Sequence, residues 1–89
     1  MDRDGLTELI VSEISEIIGV EKDKISADAS IRNDLDVTSL EIMVLLGNLE
    51  AKTGVTIESG DISGIDTVSQ LVDTVMEKKE NEEHQRTLS

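Results

Sequence analysis

Eighty-nine residues suffice for one small domain with a modest core, and 8 basic against 20 acidic residues give a formal charge of -12. Such a charge repels nucleic acid and anionic membranes, attracts partners with basic patches, and favours a monomer. The chain has no Cys, Phe, Tyr, Trp or Pro, which excludes disulfides, thiolate metal sites and aromatic stacking platforms and leaves Leu, Ile, Val, Met and Ala to build the core.

Leu6, Leu9, Ile10, Ile14, Ile17 and Ile18 recur at spacings of three and four, which predicts an amphipathic helix from about Leu6 to Ile18. Gly19 follows as a C-cap, and Val20 is placed to pack back on the last turn. From Glu21 to Asn33 the helical period is lost, while Ile25 and Ile31 remain as isolated apolar anchors. A connection of that length is expected to be an ordered loop with room for a short extra turn.

Thr38-Ser39-Leu40-Glu41 fits a capping box with Thr38 as N-cap, so a second helix is predicted from about Ser39 to Lys52, closed by Gly54. Leu40, Met43, Leu46 and Gly47 fall on one stripe of this helix and Ile42, Leu45 and Leu49 on another. Apolar beyond one face, the helix is either central in the core or partly offered to a partner. Ser39 would point its hydroxyl outward at the end where backbone amides and the helix dipole favour negative charge, a setting suited to a phosphodiester. By spacing alone, however, an ordinary polar first-turn residue is the favoured reading.

Val55-Thr56-Ile57 is β-branched but has no convincing partner strand, and is taken as extended loop. Ser59-Gly60 marks a turn, and a short helix is expected over Asp61–Ile65 with Ile62 and Ile65 facing inward. Thr67 to Gln70 repeats the capping-box logic beside Asp66, and Val68, Leu71, Val72, Val75 and Met76 supply the stripe of a final helix. From Glu77 onward the sequence is polar and unpatterned. The expected architecture is all-α: a four-helix bundle of three longer helices and one short helix, with a long loop between the first two. The folded domain would span residues 1–78, and residues 79–89 would form a disordered polar tail.

Little here suits catalysis. The one histidine, His84, lies in the polar tail, a poor place for a base that must be held against a serine. Twenty acidic residues produce close carboxylate pairs by number alone. Asp28 and Ser30 (followed by Arg32, which offers no oxygen) and Asp34, Asp36 and Thr38 alternate along the chain as in a calcium loop, but its glycine and closing glutamate are replaced by Asn33 and Ser39 in the first frame and by Ser39 and Leu45 in the second. No metal site is expected. No stretch is long and apolar enough to span a membrane, and the opening MDRDGLTE lacks the basic and apolar regions of an export signal, so a cytoplasmic protein without membrane insertion is the expectation.

Asp34-Leu35, Ser39-Leu40, Glu41, Met43, Leu45, Leu49-Glu50 and Ile57 resemble the core signature of the acyl carrier proteins, D-L-G-x-D-S-L followed by an apolar, acid-dotted helix. The resemblance continues through Ile65, Thr67, Val68 and Val75, covering roughly residues 5–78, and the family's four-helix bundle matches the order of elements predicted above. It implies a carrier that is not an enzyme: Ser39, flanked by Thr38 and Leu40, would receive 4'-phosphopantetheine from coenzyme A through a phosphopantetheinyl transferase, and the arm's thiol would hold acyl thioesters. An imported thiol accounts for the absent cysteine, and acyl-loading and synthase enzymes with basic docking patches account for the acidic surface. Glu41, Met43, Val44, Gly47 and Glu50 would form the main docking face, with the short helix beside it.

The chain departs from the family pattern at four positions. Thr38 replaces the usual aspartate but keeps a capping oxygen, and Asp36 replaces the usual glycine but tolerates a left-handed turn. Val44 stands where an acid is common, and Thr53 where a core aromatic is common. These point to a free-standing specialised carrier, of polyketide or other acyl biosynthesis, rather than the housekeeping carrier of fatty acid biosynthesis; the start at Met1 suits a separate protein. The alternatives are an aminoacyl or peptidyl carrier, disfavoured by the lack of a Gly-Gly-x-Ser core, and a non-carrying acidic docking module of the same fold. A sequestered acyl chain would be walled by Met43, Leu46, Leu49, Ile62, Ile65 and Leu71, which otherwise simply pack as core.

Overall fold

Asp2 starts the first helix, α1 (Arg3–Ile18), by accepting a hydrogen bond from the Gly5 amide at 2.7 Å. That cap places the helix start one turn ahead of the first apolar residue, Leu6. At the other end Gly19 adopts φ 73°, a left-handed conformation that glycine takes without a steric penalty, and its N–H donates to the Ser15 carbonyl at 2.9 Å. The computed structural model describes the backbone of residues 2–88 and the side chains of these except 59 and 82–88.

Between α1 and the second helix the chain makes one 3-10 turn, Lys22–Lys24, and then buries both predicted anchors, Ile25 and Ile31. Ser30, itself buried, is the hub of this loop. Its N–H donates to the Asp34 carboxylate (2.8 Å), its hydroxyl donates to the Asp66 carboxylate (2.7 Å), and its Oγ accepts from the Asn33 amide (3.1 Å). Backbone bonds from Ile31 N–H to Asp66 O and from Ser69 N–H to Ala27 O stitch the loop to the start of the final helix.

α2 (Ser39–Thr53) opens with both halves of the predicted capping box: Thr38 Oγ1 accepts from the Glu41 amide at 3.2 Å, and the Glu41 carboxylate accepts from the Thr38 amide at 2.9 Å. It ends at Gly54, as expected. Thr53 is buried, with its hydroxyl donating to Leu49 O and accepting from the Val55 amide, so the position where an aromatic is common here locks the helix end to the following strand-like segment.

Val55 and Ile57 are buried in extended chain, and there is no strand among the described residues; Ser30 and Thr67 form an isolated bridge. The short helix, α3, spans Ser59–Ile62 rather than the expected Asp61–Ile65. The Asp61 carboxylate accepts from the Glu58 amide at 3.0 Å and so caps a helix that begins where Ser59-Gly60 suggested a turn. Ile65 is still buried, just beyond the helix, while Ile62 is half-buried.

α4 (Val68–Leu88) starts as predicted: Thr67 Oγ1 accepts from the Gln70 amide, and the Gln70 side chain accepts from the Asp66 and Thr67 amides. Val68, Leu71, Val72 and Val75 are its buried face. The helix runs past the expected boundary at residue 78; the side chains that would speak to a disordered tail over 79–89 lie, from residue 82 onward, outside those described. α1 packs against both α2 and α4, so the aliphatic core lies between these three helices and beneath the loop. The fold is the all-α bundle of three long helices and one short one.

Candidate functional site

Three consecutive features bring Ser39 to the surface. Val37 is buried and pins the loop. Asp36 takes φ 55°, the left-handed turn that aspartate tolerates better than most residues and that the related signature assigns to glycine. Thr38 then caps α2, leaving Ser39 as the first helical residue, exposed, with its hydroxyl in no hydrogen bond among the described residues.

Beside Ser39 runs an open groove of about 470 Å³. Ser39, Met43, Gly47 and Glu50 line it from one face of α2, since residues four, eight and eleven apart fall along the same side of a helix. Ile57, Ile62 and Arg32 of the long loop also line it. A smaller crevice beneath contains Arg32 together with Ile42, Ile62 and core residues. The groove is apolar within and carries two charges, Arg32 and Glu50.

The two stripes of α2 separate cleanly. Ile42, Leu45 and Leu49 are buried, whereas Leu40 and Met43 are 72% and 70% exposed and Val44 is 47% exposed. Met43 is therefore no core wall: with the inward stripe centred on Leu45, the helix rotation carries Met43 out to the groove's edge. Leu46 and Ile62 also border the groove, while Leu49, Ile65 and Leu71 are core. Gly47 and Glu50 are exposed beside this patch, but the Glu41 carboxylate is turned back to the Thr38 amide by the capping box.

Sequence reasoning missed Arg32 and Ile57 as groove residues, and it missed an ionic cluster behind the site. Glu13 on α1 is buried, pairs with Lys52 and accepts from the Asn48 amide group at 3.3 Å, clamping α1 to the outer edge of α2. The Glu13 hydrogen bond holds the Lys52 ammonium above its usual range, against some opposition from desolvation. Glu13 occupies a helix position flanked by Ile10, Val11 and Ile14, and a charge inside an apolar stripe was the one available signal. On the other flank Lys78 of α4 pairs with Asp61 of α3 at 3.0 Å.

An exposed, unengaged hydroxyl at a helix start, with a groove leading away from it, fits a group attached through a phosphodiester. Among the described residues no group of histidine and carboxylate side chains could hold a metal.

Residues 8–75 match the family model described as a phosphopantetheine attachment site. The acyl carrier protein of Petrotoga mobilis is 37% identical over 78 residues, which cover 88% of this chain and 92% of that one. The acyl carrier protein of Saccharopolyspora erythraea is 30% identical over 77 residues, covering 86% and 81% respectively. A solved structure of acyl carrier protein from Enterococcus faecalis is similar with a TM-score of 0.74 at 27% identity, covering 88% of this chain and 99% of that one.

Proposed function

The chain belongs to the acyl carrier protein family, and from that premise we propose that Ser39 is the residue that takes the 4'-phosphopantetheine arm. Members of this family are carriers rather than catalysts, and their prosthetic group is covalent. When bound, the arm supplies a terminal thiol on which acyl groups travel as thioesters. Loading would join Ser39 Oγ to the β-phosphorus of coenzyme A, with adenosine 3',5'-bisphosphate leaving and the hydroxyl proton passing to a base of the transferase. The observation that carries the assignment is the exposed Ser39 hydroxyl, free of internal hydrogen bonds at the start of α2 and opening on the groove.

The remaining residues take supporting roles in this reading. Thr38 holds the helix start, Leu40 flanks the attachment point, and Leu40, Met43 and Val44 form an apolar docking patch edged by Gly47 and Glu50. Carboxylates around it would steer transferase, loading and synthase enzymes through basic patches. Thr38, Asp36 and Val44 favour a specialised carrier, with polyketide-type acyl chemistry the leading pathway. The net charge favours a monomer.

Intact mass before and after incubation with coenzyme A and a broad-specificity transferase tests the attachment residue. A gain of one phosphopantetheine that is lost in Ser39→Ala is the expected result. A gain that persists in Ser39→Ala moves the site, and no gain with several transferases leaves a docking module or a carrier served by a dedicated transferase that requires Thr38. Loading with acyl and aminoacyl donors then separates the two classes of cargo.

A further inference from the structure

Arg32 stands out electrostatically. Among the described residues Arg3, Lys22, Lys52 and Lys78 are each in an ion pair and Lys24, Arg32 and Lys79 are in none; of these three cations Arg32 alone lines the groove with Ser39. Arg32 lines the groove together with Ser39, and lines a smaller crevice together with Ile42, one turn into α2. The opposite charge of the groove, Glu50, lies eleven residues beyond Ser39 on the same helix, about 16 Å from it at 1.5 Å per residue. The groove thus holds one charge of each sign, with its carboxylate set well away from Ser39.

We propose that Arg32 is a positioning residue for the prosthetic arm: its guanidinium pairs with the phosphodiester on Ser39 and turns the arm into the groove along α2. The inference rests on Ser39 as the attachment residue. A phosphodiester there carries one negative charge with two free oxygens, which the planar fork of an arginine can meet with two parallel hydrogen bonds. The uncharged part of the arm then lies over Met43, Leu46 and Ile62, where its geminal methyl groups find apolar surface. Glu50 repels the phosphate and so opposes the reversed placement. Without the arginine the same apolar wall remains, but the arm loses the contact that fixes its first bond direction.

The test uses holo-protein of three kinds, native, Arg32→Gln and Arg32→Lys, each confirmed as loaded by intact mass. The readout is the set of nuclear Overhauser contacts between the arm's geminal methyls and the Met43 and Ile62 methyl groups, with the 31P shift of the phosphodiester. Arm contacts in the native protein should fall about two- to fivefold in Arg32→Gln, the range of one partly exposed charge pair. Arg32→Lys should keep part of them, and raising the ionic strength of the native protein should mimic Arg32→Gln. Unchanged amide shifts at Ile31 and Val37 would show that the loop is intact in the variants. Equal contacts and an equal 31P shift in all three proteins, or no arm contacts in the native one, overturn the proposal. Loading that persists in Ser39→Ala, read in the mass alone, overturns the assignment of Ser39 along with the role of Arg32.

Discussion

At Thr38 one hydroxyl decides how Ser39 is presented. Its Oγ1 satisfies the Glu41 amide, and the Glu41 carboxylate satisfies the Thr38 amide, so the first turn of α2 is closed on itself and Ser39 is left with nothing to bond. The family's usual aspartate would accept the same bond and add negative charge at the positive end of the helix. Threonine keeps the geometry and gives up the charge. Thr38→Ala should therefore cost about 1 kcal/mol in urea unfolding and fray the turn that bears Ser39. Thr38→Asp should be neutral or slightly stabilising under the same measurement. A Thr38→Asp variant that unfolds as readily as Thr38→Ala would mean the cap does not control this turn. Asp36 makes the complementary point, since its positive φ of 55° was legible only as a tolerated exception to a glycine, and the turn it makes is what the buried Val37 holds in place.

Among the elements, α3 has the fewest internal supports: four residues, a half-buried Ile62, the Asp61 cap and the bond from Asp61 to Lys78 of α4. The Lys78 ammonium, and next the Glu58 amide, hold the Asp61 carboxyl below the ordinary value of 3.8, while Asp61 holds Lys78 above 10.5. A depressed carboxyl contributes stability above its unfolded value and loses it as pH falls through the folded one; a raised ammonium contributes below its unfolded value and loses it as pH rises through the folded one. The α3 to α4 tie is therefore complete between roughly pH 4 and pH 10. The Ile62 methyl shift should differ between native protein and Asp61→Asn across that window, converge below it as Asp61 protonates, and draw closer above it as Lys78 is neutralised. A difference that persists in acid would assign it to packing. The long helices were legible because their apolar residues repeat with helical period and are closed by local signals at Gly19, Thr38, Gly54 and Thr67. α3 was displaced because Asp61 acts backward on the Glu58 amide, which a forward scan of Ser59-Gly60 takes for a turn. The Glu13 to Lys52 and Ser30 to Asp66 bonds join residues 39 and 36 positions apart, and no period in a single sequence encodes such pairs.

Over the whole molecule the charge and the apolar patch on α2 pull the response to salt in opposite directions. Twenty acidic residues against eight basic ones place most carboxylates near others of the same sign, and the described ion pairs engage four of the cations. Self-repulsion should then outweigh those pairs, because exposed pairs contribute little individually while like charges act over the whole surface. Raising salt shortens the screening length from about 10 Å at 0.1 M to about 3 Å at 1 M, so the melting temperature should rise with ionic strength. Docking to a basic partner should weaken over the same range, mainly through slower association. What survives at high salt measures the apolar contribution of Leu40, Met43 and Val44, the three large side chains that α2 leaves exposed. Met43→Ala should remove much of that residual affinity while changing the melting temperature little, since Met43 is 70% exposed and supports no core neighbour. A residual affinity untouched by Met43→Ala would place the docking surface elsewhere, and a melting temperature that falls with salt would mean that the ion pairs, not the excess of carboxylates, govern the stability of the bundle.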